Sequence, residues 1–319
     1  MAITASDIES EFGSYYIAGG QGIRDLHTQL FAPSETDAIF PDIRPTEDTE
    51  LRGSPVTLGS VMQGFQKAFT PLGDTTFEAQ KISLFNVKID VEEYPDDIVK
   101  SWLGFLASND LDRQTWPFVR WWLEKLVIPK SREDWEKKAV FGGVYSAVTP
   151  GTAHPIENSV DGIKTVINAA VSDSLLTPIA MGAVPTTEAI DFVNYLEAMT
   201  NELDPVLRNA LDQWNMSRTL ERLFKQGMRE KYNMHYDQVN RMKIVDTDIN
   251  IVGLLSHEGS TKIWGTPAAN RTRGYKGNDN SGTFRVESRK RQVSAFNDFW
   301  KGQGFWRFDV FATNDVELS

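Results

Sequence analysis

The most regular stretch of the chain is Phe85-Asn86-Val87-Lys88-Ile89-Asp90-Val91, where apolar and polar residues alternate without a break. A period of two places the apolar set on one face of a strand. Ile82 and Leu84 stand in the opposite phase, which predicts a bulge near Leu84-Phe85. Farther on the period becomes that of a helix. Trp116, Val119, Leu123, Leu126 and Val127 fall on one stripe, Thr115 is placed to cap it, and Pro117 suits the first turn. Pro129 removes a backbone donor and predicts a kink, after which helix resumes from Ser131 to Phe141 and ends at Gly142-Gly143.

Weaker patterns fill the rest. Residues 1–45 read as an irregular arm with one short amphipathic helix carrying Ile23, Leu26 and Leu30. Residues 46–92 form a long excursion whose middle holds only the short apolar cluster Val61, Met62, Phe65 and Phe69. A loop over 146–159 precedes a short helix (161–171), and Thr186 or Thr187 caps a helix carrying Ile190, Val193, Leu196 and Met199. A strand is expected over 211–216, followed by a helix capped by Ser217 with Leu220, Leu223, Phe224 and Met228 buried. The last third predicts strands at 249–255, 261–264, 283–286, 293–300 and 305–312, the last two as a hairpin around Lys301-Gly302-Gln303-Gly304.

Composition narrows the function classes. The 319 residues are 40% hydrophobic, with 9 Trp and 18 Phe, enough to pack a substantial core. No apolar run approaches the roughly 18 residues of a membrane-spanning helix, and the N-terminus lacks a basic start and an apolar core segment. A soluble protein made in a cytosol is expected. The net charge of −11 gives no general attraction to nucleic-acid backbones. With no Cys and four His, thiolate metal sites and Cys nucleophiles are excluded.

The candidate chemistry is sparse. Gly277 and Gly282 have phosphate-loop spacing, but Thr283 stands where that loop needs Lys. Asp246, Asp248 and Asn250 imitate the start of a calcium loop, which then fails at Ile251 and His257. His257-Glu258 lacks the second His of a zinc-protease helix. Glu92, Glu93, Asp96 and Asp97 surround Pro95 and read as a solvated turn or helix start more readily than as an acid–base pair. The one basic cluster is Arg285, Arg289, Lys290 and Arg291, suited to packaged DNA, to an acidic patch on a neighbouring subunit, or simply to guarding a sheet edge.

Several stretches, taken in order, resemble the Hong Kong 97-type major capsid proteins of tailed bacteriophages, in particular those of crAss-like and other Bacteroidota phages. They are Phe85 to Asp90 running into Pro95-Asp96-Asp97, Ser101-Trp102-Leu103-Gly104-Phe105-Leu106, and Trp116-Pro117-Phe118-Val119-Arg120 ending at Ile128-Pro129. Gly143-Val144-Tyr145, Val160-Asp161-Gly162-Ile163-Lys164, Lys262 to Pro267 and Asp298 to Phe305 complete the set, so that the match spans roughly 80–312. The resemblance implies an α+β fold with an N-terminal arm (1–45), an extended β E-loop (46–92), a P-domain with a long spine helix (93–184), an A-domain (185–275) and return strands of the P-domain (276–319).

It also implies a structural protein and not an enzyme, without catalytic, cofactor or metal residues. Its copies would associate as hexamers and pentamers in an icosahedral shell around double-stranded DNA held without sequence specificity. Further implied partners are a portal and separate scaffold or decoration proteins, with no membrane. The location implied is the virion, assembled in the bacterial host cytoplasm. An E-loop beginning by residue 46 leaves no room for a long cleaved scaffold segment, and no Lys, Asn and Glu trio matches the family's isopeptide cross-link. An encapsulin-like cargo shell shares the fold, and a carboxylate-based hydrolase is the reading from another class.

The physics of 46–92 agrees with an assembling protein. A long excursion without its own core is costly to order unless a partner covers it. Two strands of about 20 residues would reach roughly 60 Å, long enough to cross a subunit boundary. Val61, Met62, Phe65 and Phe69 are therefore the candidate intersubunit contacts. Trp116, Val119, Leu123 and Leu126 are expected to pack against the C-terminal strands carrying Trp306, Phe308 and Val310.

Overall fold

A computed structural model describes residues 4–18, 23–30, 32–77, 79–232, 242–276 and 284–318. The chain divides into two compact units, each assembled from three separate segments. The first comprises residues 1–38, 85–165 and 275–301, the second residues 39–84, 166–274 and 302–319.

In the first unit the alternating run becomes strand β6 (Phe85–Glu93), and Leu84 is indeed buried out of phase just before it. β6 pairs antiparallel with the long strand β12 (Gln292–Phe305), from Val293 opposite Glu93 to Lys301 opposite Phe85. On its other side β12 forms a tight hairpin with β11 (Arg285–Arg289), turning at Lys290-Arg291 with Lys290 at φ +59°. Helix α4 (Pro95–Asn109) follows β6, with Pro95 in its first turn beside Asp96 and Asp97, so those carboxylates decorate a helix start.

The spine helix α5 covers 118–139 as alternating α and π segments: Phe118–Trp121, Trp122–Val127, Ile128–Asp134 and Trp135–Ala139. Pro129 does not interrupt it as expected. The turn before the proline is widened, with the Ile128 N–H donating to Leu123 O, five residues back, and a π turn of this kind makes room for a ring that an α turn rejects. Thr115 does not cap the helix; its hydroxyl donates to Asp112 O, and Pro117 holds the cap position. Val119 and Leu123 are fully buried, whereas Leu126 is 43% exposed.

The N-terminal segment is not an irregular arm. It folds as α1 (Ala5–Phe12), a π turn (Gly13–Ala18), α2 (Ile23–Leu30) and α3 (Glu35–Ala38). Thr4 and Asp7 close a reciprocal capping box, and Ala5, Ile8, Phe12 and Tyr16 form the buried face. α1 lies against the start of the spine, where the Tyr16 hydroxyl donates to Glu124 at 2.8 Å and the Glu11 carboxylate accepts from the Phe118 and Val119 N–H groups. Burial holds Glu11 above the usual carboxylate range despite those two donors. The spine is thus covered by the N-terminal helices, while Trp306 and Phe308 belong to the second unit. α3 is fixed by charge: Asp37, 1% exposed, accepts from Lys301 Nζ at 2.6 Å and Trp135 Nε1 at 3.3 Å, and Glu136 accepts from Thr36.

The second unit centres on a four-stranded sheet in the order β13 (Ala312–Thr313), β9 (Trp264–Gly265), β7 (Gln213–Ser217) and β8 (Asn250–Leu254). β7 and β8 run parallel, with α9 (Arg218–Tyr232) packed against both. α9 also packs against α7 (Ala189–Asn201), burying Phe192, Leu196, Met199, Leu220, Phe224 and Met228 in one core. α7 starts one or two residues later than expected, with Glu188 and not a threonine at the cap, and Ile190 faces outward. A second cluster stacks Trp264 on Phe311 with ring centroids 5.8 Å apart and closes around Phe40, Phe305 and Phe308.

The expected hairpin at 301–304 is absent, because β12 continues straight through it to Phe305. The glycines there serve closeness and not turning. A Cβ on Gly302 would lie 2.3 Å from Ser83 O, so only glycine lets the strand pass.

Candidate functional site

The excursion leaves the second unit as two short antiparallel pairs in place of two long strands. β2 (Glu50–Gly53) pairs with β5 (Gln80–Ser83), and β3 (Val56–Leu58) pairs with β4 (Thr75–Phe77). Between β3 and β4, residues 59–74 hold no strand, and a bond from Gly59 N to Asp74 O at 3.0 Å closes their base. Gly73 turns the chain there at φ +101°, a conformation open to glycine at little cost.

The tip is built inside out. Gln63 Nε2 donates to Thr70 O at 2.6 Å and Gln66 Nε2 donates to Thr70 Oγ1 at 2.7 Å, so the polar side chains satisfy one another across the loop. The apolar ones face solvent: Phe65 and Phe69 are each 96% exposed and Met62 89%. Val61 and Leu72 of the loop are exposed too, as are Val56, Leu58 and Phe77 on the stalk strands, and of these only Val61 was expected from the sequence. Their signal was present, since apolar residues continue on both sides of the tip, but without a strand partner in view no periodicity marked them. Lone exposed apolar residues are ordinary; eight exposed within one segment are not.

The basic cluster lies on the β11–β12 hairpin. Arg285, Arg289, Lys290 and Arg291 are all exposed, at one end of the sheet edge that α1 partly covers through Glu9, which accepts from Ser288 N at 3.1 Å. The four are brought together by the strand and its turn. Gly277, Gly282 and Thr283 lie outside the described residues. Asp248 is exposed and pairs with Lys243 at 3.1 Å, and Asn250 opens β8 and donates its side-chain amide to Asp212 O at 3.2 Å. Among the described residues no three metal-ligating side chains come together, and no helix is long and apolar enough to cross a membrane.

His257 is buried beside Trp264, whose indole N–H donates to His257 Nε2 at 2.8 Å. That bond places the imidazole proton on Nδ1, 2.9 Å from Ser256 Oγ. Burial lowers its pKa to about 3, so the ring is neutral and structural.

No protein-family model matches the sequence, and no curated protein does. Solved structures do match. A chain of the satellite phage P4 procapsid, a particle that includes the size determination protein, aligns over 96% of this chain and 95% of its own, with TM-score 0.59 and 12% identity. A Gordonia phage Cozz chain aligns over 88% and 86%, with TM-score 0.53 and 10% identity. The capsid of Myoviridae phage XM1 aligns over 85% and 88%, with TM-score 0.50 and 9% identity. Sequence identity this low carries the backbone and not the residues, and what it establishes is the architecture: the chain has the α+β Hong Kong 97-type fold of tailed-phage major capsid proteins.

Proposed function

We propose that the chain is a major capsid protein whose copies assemble as hexamers and pentamers into an icosahedral shell around phage double-stranded DNA. The observation that carries this reading is the inside-out loop over 59–74. Its aromatic side chains stabilise nothing within their own chain, and each of them yields roughly 1.5–3 kcal/mol once a partner covers it. A fold shared with shell subunits supplies the partner, another copy, at every boundary. Within this reading residues 46–92 are the E-loop, the helix over 118–139 is the spine, and Val61, Met62, Phe65 and Phe69 are the intersubunit contacts. The exposed basic hairpin at Arg285, Arg289, Lys290 and Arg291 is assigned to DNA on the inner surface or to an acidic patch of a neighbour. The role is structural, and the host cytoplasm is the place of assembly.

Negative-stain microscopy of the purified protein tests the reading directly. Closed particles of uniform diameter, or rings of five and six, are expected. A protein that stays monomeric by light scattering across salt and crowding conditions overturns it.

A further inference from the structure

One enclosed charge of the second unit is only partly paired. Strand β10 (Arg271–Lys276) sets Arg271 and Arg273 on one face, two residues and roughly 7 Å apart. Thr272, on the other face, fixes the strand by donating to Asp42 at 2.8 Å and accepting from the Trp306 indole at 2.6 Å. The Arg271 side chain is 2% exposed and meets one carboxylate, that of Asp212, through Nη2 and Oδ2 alone. Asp212 precedes β7 and is held there by its carbonyl, which accepts from the backbone and side-chain amides of Asn250 at 3.0 and 3.2 Å. A guanidinium and a carboxylate commonly meet as a two-pronged fork. Here Arg271 Nε, Arg271 Nη1 and Asp212 Oδ1 are enclosed without a hydrogen-bond partner, and so is Arg273 Nε. Burial lowers the pKa of Arg271 although Asp212 lies against it, so this one carboxylate does not offset the loss of water. Arg273 makes no ion pair among the described residues.

The unmet groups define the chemistry that completes them. The two guanidinium groups call for an anionic acceptor, whereas Asp212 Oδ1, which as a carboxylate can only accept, calls for a donor. A phosphate that keeps one proton at neutral pH offers both, in its charged oxygens and its P–OH. Sulfate and a phosphodiester offer acceptors only. We infer that Arg271, Arg273 and Asp212 form a site for a protonated phosphate, as the free ion or a monoester, with its oxygens on the guanidinium groups and its P–OH donating to Asp212 Oδ1. Arg273 is half-buried and the Asp212 side chain 38% exposed, so the ion enters between these two and meets Arg271 at the floor. All three residues belong to the second unit, and the site does not depend on the shell reading.

Isothermal titration calorimetry of the full-length protein at pH 7 and fixed ionic strength tests the site with inorganic phosphate, methyl phosphate, sulfate and dimethyl phosphate. Inorganic phosphate or methyl phosphate should bind once per chain, and the stronger of the two tells whether the free ion or the monoester is the natural ligand. Sulfate and dimethyl phosphate should bind about tenfold more weakly or less, because each sets an acceptor against Asp212 Oδ1. Arg273→Gln removes a half-buried cation without an ion-pair partner. It should weaken phosphate binding by about tenfold and leave the melting temperature in phosphate-free buffer unchanged. Asp212→Asn can present a donor in place of the carboxylate and should abolish the preference for phosphate over sulfate. Should that variant fail to fold, Arg273→Gln and the four anions still decide. Equal affinity of the parent protein for phosphate and sulfate, or a phosphate affinity unchanged by Arg273→Gln, overturns the site. No binding of either phosphate at millimolar concentration overturns it as well and assigns the enclosed atoms to water.

Discussion

His257 and Asp37 are both enclosed, yet they solve the burial of a polar group in opposite ways. His257 stays neutral, and its folded pKa of about 3 lies below the ordinary value of 6.5 because burial penalises the charged ring. Below pH 6.5 the unfolded chain takes up a proton that the folded one refuses. Stability is therefore complete above that pH and is lost as pH falls from 6.5 towards 3, by on the order of 1 kcal/mol per pH unit. The His257→Gln variant should be less stable at pH 7 yet show a flatter decline between pH 6 and 4, as read by urea unfolding of the subunit. An equal decline in both proteins would show that other groups set the acid limit. Asp37 is instead paired with Lys301, which also lies 4.1 Å from the centre of the Trp135 ring. Lys301→Met leaves a buried carboxylate without its cation and should cost about 3–5 kcal/mol. Adding Asp37→Asn should recover most of that loss, because the unpaired charge, and not the missing lysine stem, is what destabilises. Neither pair was legible in the sequence, since 264 residues separate Asp37 from Lys301 and the motif-like neighbours of His257 pointed to metals instead.

At the scale of elements, what could be read depended on where the partner surface lay. Strand β6 and the spine helix carry their own periodicity, since on each the apolar residues share the less exposed face, with Leu126 the exception on the spine, and both stand where the sequence placed them. Of the N-terminal helices α2 stands where Ile23, Leu26 and Leu30 placed it, whereas α1 was missed because the buried set Ile8, Phe12 and Tyr16 runs across Gly13 and earns its burial from a helix more than 100 residues away. The run through Gly302 was misread for the converse reason: two glycines signal a turn locally, and only the nearby Ser83 backbone reveals a steric demand. The spine is the element on which the first unit depends. Leu123 is fully buried on it, so Leu123→Ala should lower the stability of the isolated subunit by about 2–5 kcal/mol. A melting temperature equal to that of the parent protein would show that the cavity collapses, or that this face is not the core.

On the scale of the whole molecule, the proposed shell function assigns folding and assembly to separate parts of the chain, and that separation is testable. The segment over 60–73 closes on itself at Gly59 and Asp74 and contributes no buried apolar side chain. The sequence already marked this stretch as lacking a core, because its apolar residues are few and interrupted by Gly and Pro; that its polar groups bond inward while its aromatics face out required coordinates. Replacing 60–73 by a two-residue Asn-Gly turn, which suits a short antiparallel connection between β3 and β4, should therefore leave the subunit folded. Circular dichroism and the unfolding midpoint should match those of the parent within about 0.5 kcal/mol, the usual limit for changes away from the core. Assembly should fail, because each boundary between copies loses Phe65 and Phe69 together with the roughly 1.5–3 kcal/mol that covering either one yields. The loss recurs at every boundary of a closed shell, so a modest deficit per contact is multiplied over the particle. If the shortened protein unfolds, the loop belongs to an internal core. If it forms normal particles, the tip is surface decoration, and the contacts that hold the shell lie elsewhere on the fold.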